Sequence, residues 1–216
     1  MNIKISQGNS KLGNIPSISL PAGVTCRDDC ECKNKCYAKR LERIRKSVRE
    51  AYQHNYQVLK CAPNTYWREV EASIMMSRFF RFHVSGDIPD ERYLDMMIHI
   101  AERNQHCEIL CFTKKYDIVN DCITRRLAAN DIWGDTPCDS YTDVIPKNLH
   151  LIMSGWMGLD MNNPYLLPEA HVRYRDGSTT ASDSAVECGG NCTECALTDG
   201  GCWTLGAGEQ VVFNEH

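Results

Sequence analysis

Eight of the chain's 13 cysteines stand in two short windows, Cys26/Cys30/Cys32/Cys36 and Cys188/Cys192/Cys195/Cys202. Any fold of this chain must bring those thiols together in a useful way. The first window reads C-x3-C-x-C-x3-C, four thiols in eleven residues. Soft thiolate ligands select zinc, copper(I) or iron–sulfur clusters. Zinc ribbons favour C-x2-C knuckles in two distant pairs, and this window holds none. A dense loop around one cuboidal cluster fits better, with zinc and redox thiols as the alternatives. The second window reads C-x3-C-x2-C-x6-C, with glycines that let the backbone curl toward sulfur. Four protein ligands would close that site, making it structural or electron-transferring. Iron–sulfur is the expectation there and zinc its competitor. A knot formed by this segment would close over the first window and put the two sites side by side.

The compartment decides whether these cysteines are ligands or disulfides. Residues 1–20 are polar and broken by Gly and Pro, without the apolar core of a signal peptide. Nowhere do about 18 apolar residues run together, so no membrane span is expected. The expected location is therefore the cytoplasm, where thiols stay reduced and clustered cysteines read as metal ligands. The five scattered cysteines, Cys61, Cys107, Cys111, Cys122 and Cys138, read as small core residues. A net charge of −4 gives no global basic field, and nucleic acid is not an expected partner.

Between the two windows the chain alternates strand and helix. Ile15–Leu20, Phe79–Val84, Cys107–Phe112, Leu149–Met153 and His171–Tyr174 read as strands. Tyr37–Lys60, Thr65–Arg78 with Thr65 as N-cap, Asp90–Asn104 and Tyr116–Asn130 read as helices. This order predicts an α/β fold with a parallel sheet and covering helices. Residues 1–176 are expected to form this α/β domain. Residues 177–216 form a linker and a Cys-rich metal-binding segment. Polar or glycine-containing residues follow each strand: the cysteine loop, Ser85-Gly86-Asp87, Thr113-Lys114-Lys115 and Ser154-Gly155. In α/β sheets and barrels the carboxyl ends of the strands carry the active face. The loop of the first window also precedes a helix, whose N-terminus favours an anionic cluster or a carboxylate.

Three stretches together resemble a known family: NIPSISLPAGVTC…C-x3-C-Y-A over Asn14–Ala38, FHVSGD over Phe82–Asp87, and CFTKK over Cys111–Lys115. They look like the phage "gene eighty-eight product" family, small radical-SAM-like proteins of bacterial viruses. The likeness covers most of the chain, including the final Cys202-Trp203. It implies a virus-encoded protein in the host cell, a partial (β/α) TIM-like barrel over residues 1–176, and a [4Fe–4S] cluster on three cysteines of the first loop. The open iron would then take the amino and carboxylate groups of S-adenosylmethionine (SAM). On this resemblance Cys26, Cys32 and Cys36, the last followed by Tyr37, are ligands, and Cys30 is either extra or a closing fourth. Ser85, Gly86 and Asp87 would meet the methionine amino group, and Thr113 and Lys114 would line the same mouth. Ser154, at the end of the next strand, joins them as a cofactor-binding candidate. An electron-donor protein would be a partner. The radical-SAM spacing C-x3-C-x2-C is absent from the first loop and occurs instead at Cys188/Cys192/Cys195, without a strand–helix setting.

Two other readings stay open. One is a non-catalytic viral iron–sulfur protein for electron transfer or sensing. The other is a zinc-stabilised binding module using the basic residues of 37–50. Lys39, Arg40, Arg43, Arg45, Lys46 and Arg49 stand there against two acids, and a solvated helix face is the plainer account. His83 reads as a hydrogen-bonded core histidine, Asp28-Asp29 as loop solvation, and Trp133, Trp156 and Trp203 as packing residues.

Overall fold

The computed structural model describes residues 2–133, 140–198 and 200–215, and of 131–133 the backbone alone. The elements run β1 (Ser17–Ile18), α1 (Tyr37–Ile44), α2 (Lys46–Cys61), α3 (Pro63–Met75), β2 (Phe79–Phe82), α4 (Glu91–Arg103), β3 (Glu108–Thr113), α5 (Tyr116–Trp133), β4 (Leu149–Ser154), β5 (Glu169–Arg173), β6 (Val186–Glu187), α6 (Cys192–Leu197) and β7 (Gln210–Asn214). The seven strands form one all-parallel sheet in the order β1-β2-β3-β4-β5-β7-β6. The sheet is open, with β1 and β6 at its edges.

Sequential order explains the layering. Parallel crossovers are right-handed almost without exception. When each strand lies beside the previous one, every crossover helix falls on the same face. Residues alternate accordingly. Ile109 and Cys111 of β3, and Leu149, Leu151 and Met153 of β4, join the main core with Val58, Tyr66, Trp67, Val70, Leu94, Met97 and Ile123 from α2 to α5. Leu110 and Ile152 face the other way. None of the crossover helices α2 to α5 serves that second face; only the short α6, between β6 and β7, lies there among the described residues. The face is covered by Leu12 and Ile15 from the start of the chain, and by Ala196, Trp203 and Val211 from its last forty residues.

Some expectations change in detail. The stretch 37–60 is two helices, because Arg45 is extended (φ −112°, ψ 98°). Helix α3 begins at Pro63, which needs no N–H partner in a first turn; Ala62 precedes it, so Thr65 is not its cap. Asp90 caps α4 by accepting from Tyr93 N at 2.9 Å. The apolar tail 211–213 is β7, inserted between β5 and β6. The scattered cysteines divide: Cys107, Cys111 and Cys122 are core, whereas Cys61 is exposed. Cys61 ends α2 on the helix's outer side, where apolar periodicity gave no separate warning. Cys138 and the side chain of Trp133 lie outside the described residues. Among the described residues no helix is long and apolar enough to cross a membrane.

Candidate functional site

The loop after β1 is anchored by groups that the later strands present. Glu42, the acid of α1, turns inward and is buried; its Oε1 accepts from Ala22 N at 3.0 Å and from Ser85 Oγ at 2.7 Å. Gly86 has φ +79°, and a Cβ there would lie 2.8 Å from Leu20 O and from Thr25 Oγ1. Only glycine fits both that conformation and that approach. Asp87 N donates to Thr25 Oγ1 at 2.9 Å. The Ser85-Gly86-Asp87 turn therefore packs directly under the cysteine loop.

Asp87 also ties the neighbouring strand end into the site. Its Oδ1 accepts from Thr113 Oγ1 at 2.6 Å and Ile88 N at 2.8 Å, and its Oδ2 from Lys114 N at 2.9 Å. The carboxyl is buried, and burial raises its pKa while these donors oppose the shift. Both oxygens are used inside the protein. Lys114 Nζ then donates to Ser154 Oγ at 2.8 Å, which carries the network to the end of β4. Tyr37 OH donates to Val84 O at 2.7 Å. All seven residues expected from the sequence to hold a cofactor thus gather at the carboxyl ends of β2, β3 and β4.

The thiols of the first window lie within electrostatic reach of one another. Cys26 feels Cys36, and Cys32 feels both Cys30 and Cys36. Burial pushes the Cys26 thiol up. Cys30 is held low chiefly by hydrogen bonding from Cys32, whose N–H lies 3.4 Å from Cys30 Sγ, with Lys114 and Arg27 adding positive charge nearby. Cys32, its proton shared toward Cys30, moves up. Arg27 also reaches across to Lys114 O at 3.0 Å and lies over the Tyr116 ring. Cys36 caps α1, accepting from Lys39 N at 3.5 Å.

The second window sits on the uncovered face. Cys188, Cys192, Cys195 and Cys202 pack against the Leu12/Trp203/Val211 cluster. Cys202 feels the other three, and its burial pushes its thiol up to about 12. Gly201 (φ +59°) would place a Cβ 3.1 Å from Cys195 Sγ, so the backbone there hugs sulfur. Arg81, projecting from β2 onto this face, points Nη1 at Cys192 Sγ across 3.9 Å and lies over the Phe112 ring. Tyr37 is within electrostatic range of Cys36 on one side and of Arg81 and Cys192 on the other. The two windows therefore meet around one tyrosine. Among the described residues, no group of three or more His, Cys, Asp or Glu side chains is arranged so that it could hold a metal ion.

Thr25, Arg27, Glu42, Arg81 and Tyr116 belong to this site and carry no sequence motif. Thr25 and Arg27 flank Cys26, and that adjacency was the one signal available. Glu42, Arg81 and Tyr116 are brought in by a helix face, a strand face and a helix start. His83 is buried as expected, yet neither of its ring nitrogens has a partner among the described residues.

A family model described as Gene product 88 matches residues 2–156. The "Gene 88 protein" of Mycobacterium phage L5 is 28% identical over 121 residues, which cover 50% of this chain and 51% of that protein. The "Gene 88 protein" of Mycobacterium phage D29 is 31% identical over 121 residues, covering 50% of each. The chain spans about half the length of these curated relatives. No solved structure matches it.

Proposed function

This chain belongs to the Gene product 88 family, and we propose that it is an iron–sulfur protein whose first cysteine loop works on SAM. The observation that supports this reading is the setting of Cys26, Cys30, Cys32 and Cys36. At the carboxyl mouth of a parallel sheet Cys36 lies within electrostatic reach of Cys26 and of Cys32, and Cys32 of Cys30, with Lys114 near Cys26, Cys30 and Cys32 and Arg27 near Cys30. A donor set made only of thiols suits a thiophilic centre, and the Lys114 and Arg27 charges help hold Cys30 toward its thiolate, while Cys26 and Cys32 remain raised. In this reading the open sheet is the unclosed wall of a partial barrel, and Cys26, Cys32 and Cys36 hold a [4Fe–4S] cluster. Such a cluster would supply one electron for breaking a carbon–sulfur bond of SAM.

The protein's own residues would orient and enclose. Asp87 holds the ends of β2 and β3 in one arrangement, and Lys114 holds β3 to β4. The Gly86 backbone and the Ser154 hydroxyl would then serve as polar contacts for an amino acid head group, with Ser85 as a support whose own N–H and C=O are taken by Ser19 and Leu20. Cys188, Cys192, Cys195 and Cys202 would hold a second centre, iron–sulfur or zinc, with Arg81 as its cationic neighbour. An electron-donor protein is the partner such chemistry requires. A phage-encoded chain is made in the host cell, and the cytoplasm is the compartment proposed.

A second reading has one specific observation in its favour. Cys30 is buried and already hydrogen-bonded to Cys32. If it completes a four-thiolate set, no iron position stays open, and the protein is an electron carrier or sensor. One experiment separates the readings: oxygen-free purification, with iron, sulfide and zinc measured in the same sample, followed by SAM. We expect a coloured protein with iron and sulfide, and an altered paramagnetic signal plus 5′-deoxyadenosine when SAM and a reductant are added. Iron without any response to SAM selects the carrier. A colourless, iron-free protein overturns both.

A further inference from the structure

We propose that the groove between α1 and the loops leaving β4 and β5 binds single-stranded nucleic acid. This goes beyond the cluster reading and needs no metal. The groove encloses about 1300 Å³. One wall is α1, which displays Lys39, Arg40 and Arg43. The only acid of that helix, Glu42, is turned inward and occupied by Ala22 and Ser85. Among the described residues, the side chains of Arg40 and Arg43 have no ion pair or hydrogen bond. They are exposed cations waiting for anions on a chain of net charge −4.

Three acids line the groove; Glu31, at its edge before α1, is exposed and has no ion pair among the described residues, and the other two are committed elsewhere. Glu215 receives Lys35 Nζ at 2.9 Å and Arg175 N at 3.2 Å. Asp176 receives both the N–H and the hydroxyl of Ser178. The wall facing α1 is aromatic. Trp156 and Tyr174 meet edge to face with ring centroids 5.5 Å apart. Met157 N donates to Tyr174 OH at 2.8 Å, which fixes that ring.

A row of unpaired cations facing fixed aromatic rings is the pattern that takes a phosphodiester on one side and bases on the other. A duplex keeps its base faces stacked internally and cannot use the rings, so the strand must be single. The concave shape also suits one strand rather than a rigid double helix.

The test is fluorescence anisotropy with the full chain and a labelled single-stranded oligothymidylate. It is read between about 50 and about 200 mM salt, the range over which phosphate contacts weaken strongly. We expect binding that falls with salt. The double variant Arg40→Gln/Arg43→Gln should lose at least about tenfold in affinity and flatten the log–log salt slope by roughly 1.4. Trp156→Ala should weaken binding several-fold and leave the slope unchanged, and Trp156→Phe should recover most of the loss. Arg103→Gln, on α4 away from the groove, should do nothing. The two arginines are surface residues, so their variant will fold and decides the matter even if Trp156→Ala does not. The proposal is overturned by absence of binding, by equal affinity for the matching duplex or for a polyglutamate peptide, or by an unchanged arginine double variant.

Discussion

His83 shows how much a single position can be asked to bear. It follows β2 directly, and its N–H donates to Ile18 O at 2.9 Å. Its φ of +59° is left-handed, a region that non-glycine residues visit at a cost. That turn sends the chain out of the sheet and into Val84-Ser85-Gly86-Asp87. The imidazole packs beside Tyr93, with ring centroids 5.3 Å apart, and against Phe82. Burial, helped by the Arg81 charge, pulls its pKa down from 6.5 to about 3. The unfolded chain therefore takes up a proton as pH falls through 6.5, and the folded chain does not until about 3. Over that window the unfolded state binds more protons, so stability is lost as pH falls from about 6.5 toward about 3, by up to about 1.4 kcal/mol per unit. His83→Asn tolerates the left-handed backbone and cannot titrate. Urea unfolding from neutral pH down to pH about 4 should show the wild type losing stability faster than this variant, within the slope of one proton. Parallel curves would mean the ring is protonated in the folded protein.

At the scale of elements, the site depends on how α1 is pinned. The helix has eight residues and buries only Ala38 and Glu42. Apolar burial is too small to orient it, so the two hydrogen bonds of Glu42, with that of Tyr37 OH to Val84 O, set its position over the sheet mouth. Removing the carboxylate leaves Ala22 N and Ser85 Oγ buried without that acceptor. Each loss of this kind costs about 1–3 kcal/mol. Glu42→Ala should lower the thermal midpoint and loosen the segment 21–40, read as faster amide hydrogen exchange there than in α4. Glu42→Gln keeps an acceptor oxygen and should lie between the two. Exchange in 21–40 unchanged by Glu42→Ala would show that the cysteine loop is held by other contacts. The break at Arg45 has a related origin. Apolar spacing runs on through 41–52, and no Pro or Gly marks a stop, but α1 must stay over the mouth while α2 packs Val58 into the core.

For the whole molecule, the decisive feature is the face that α2 to α5 leave open. Trp203 is its main cover. Its ring meets Phe79 at 5.2 Å and His150 at 6.0 Å between centroids, and its Nε1 donates to Cys192 O at 3.2 Å. Trp203→Ala should cost about 3–5 kcal/mol, measured by denaturant unfolding, and should disturb the second cysteine window in the same step. A loss below about 1 kcal/mol would mean that the terminal segment only rests on the sheet. The segment 177–216 is thus bound to the sheet by β6 and β7 as well as by its cysteines.

Much of this was legible in the residues. Alternating and continuous apolar runs marked β1 to β5, helical spacing marked α3 to α5, and crowded cysteines marked both windows, because each signal lies within a few neighbours along the chain. The gathering of Asp87, Thr113, Lys114 and Ser154 also followed, since parallel strands in sequential order must present their ends together. What the sequence could not disclose is pairing at a distance. The inward turn of Glu42, the reach of Arg81 to Cys192, the place of Tyr37 between the windows and the entry of β7 beside β5 each join residues far apart in the chain. Such contacts are chosen by which surfaces remain to be covered once α2 to α5 have packed on one side of the sheet, and only the tertiary structure makes that choice.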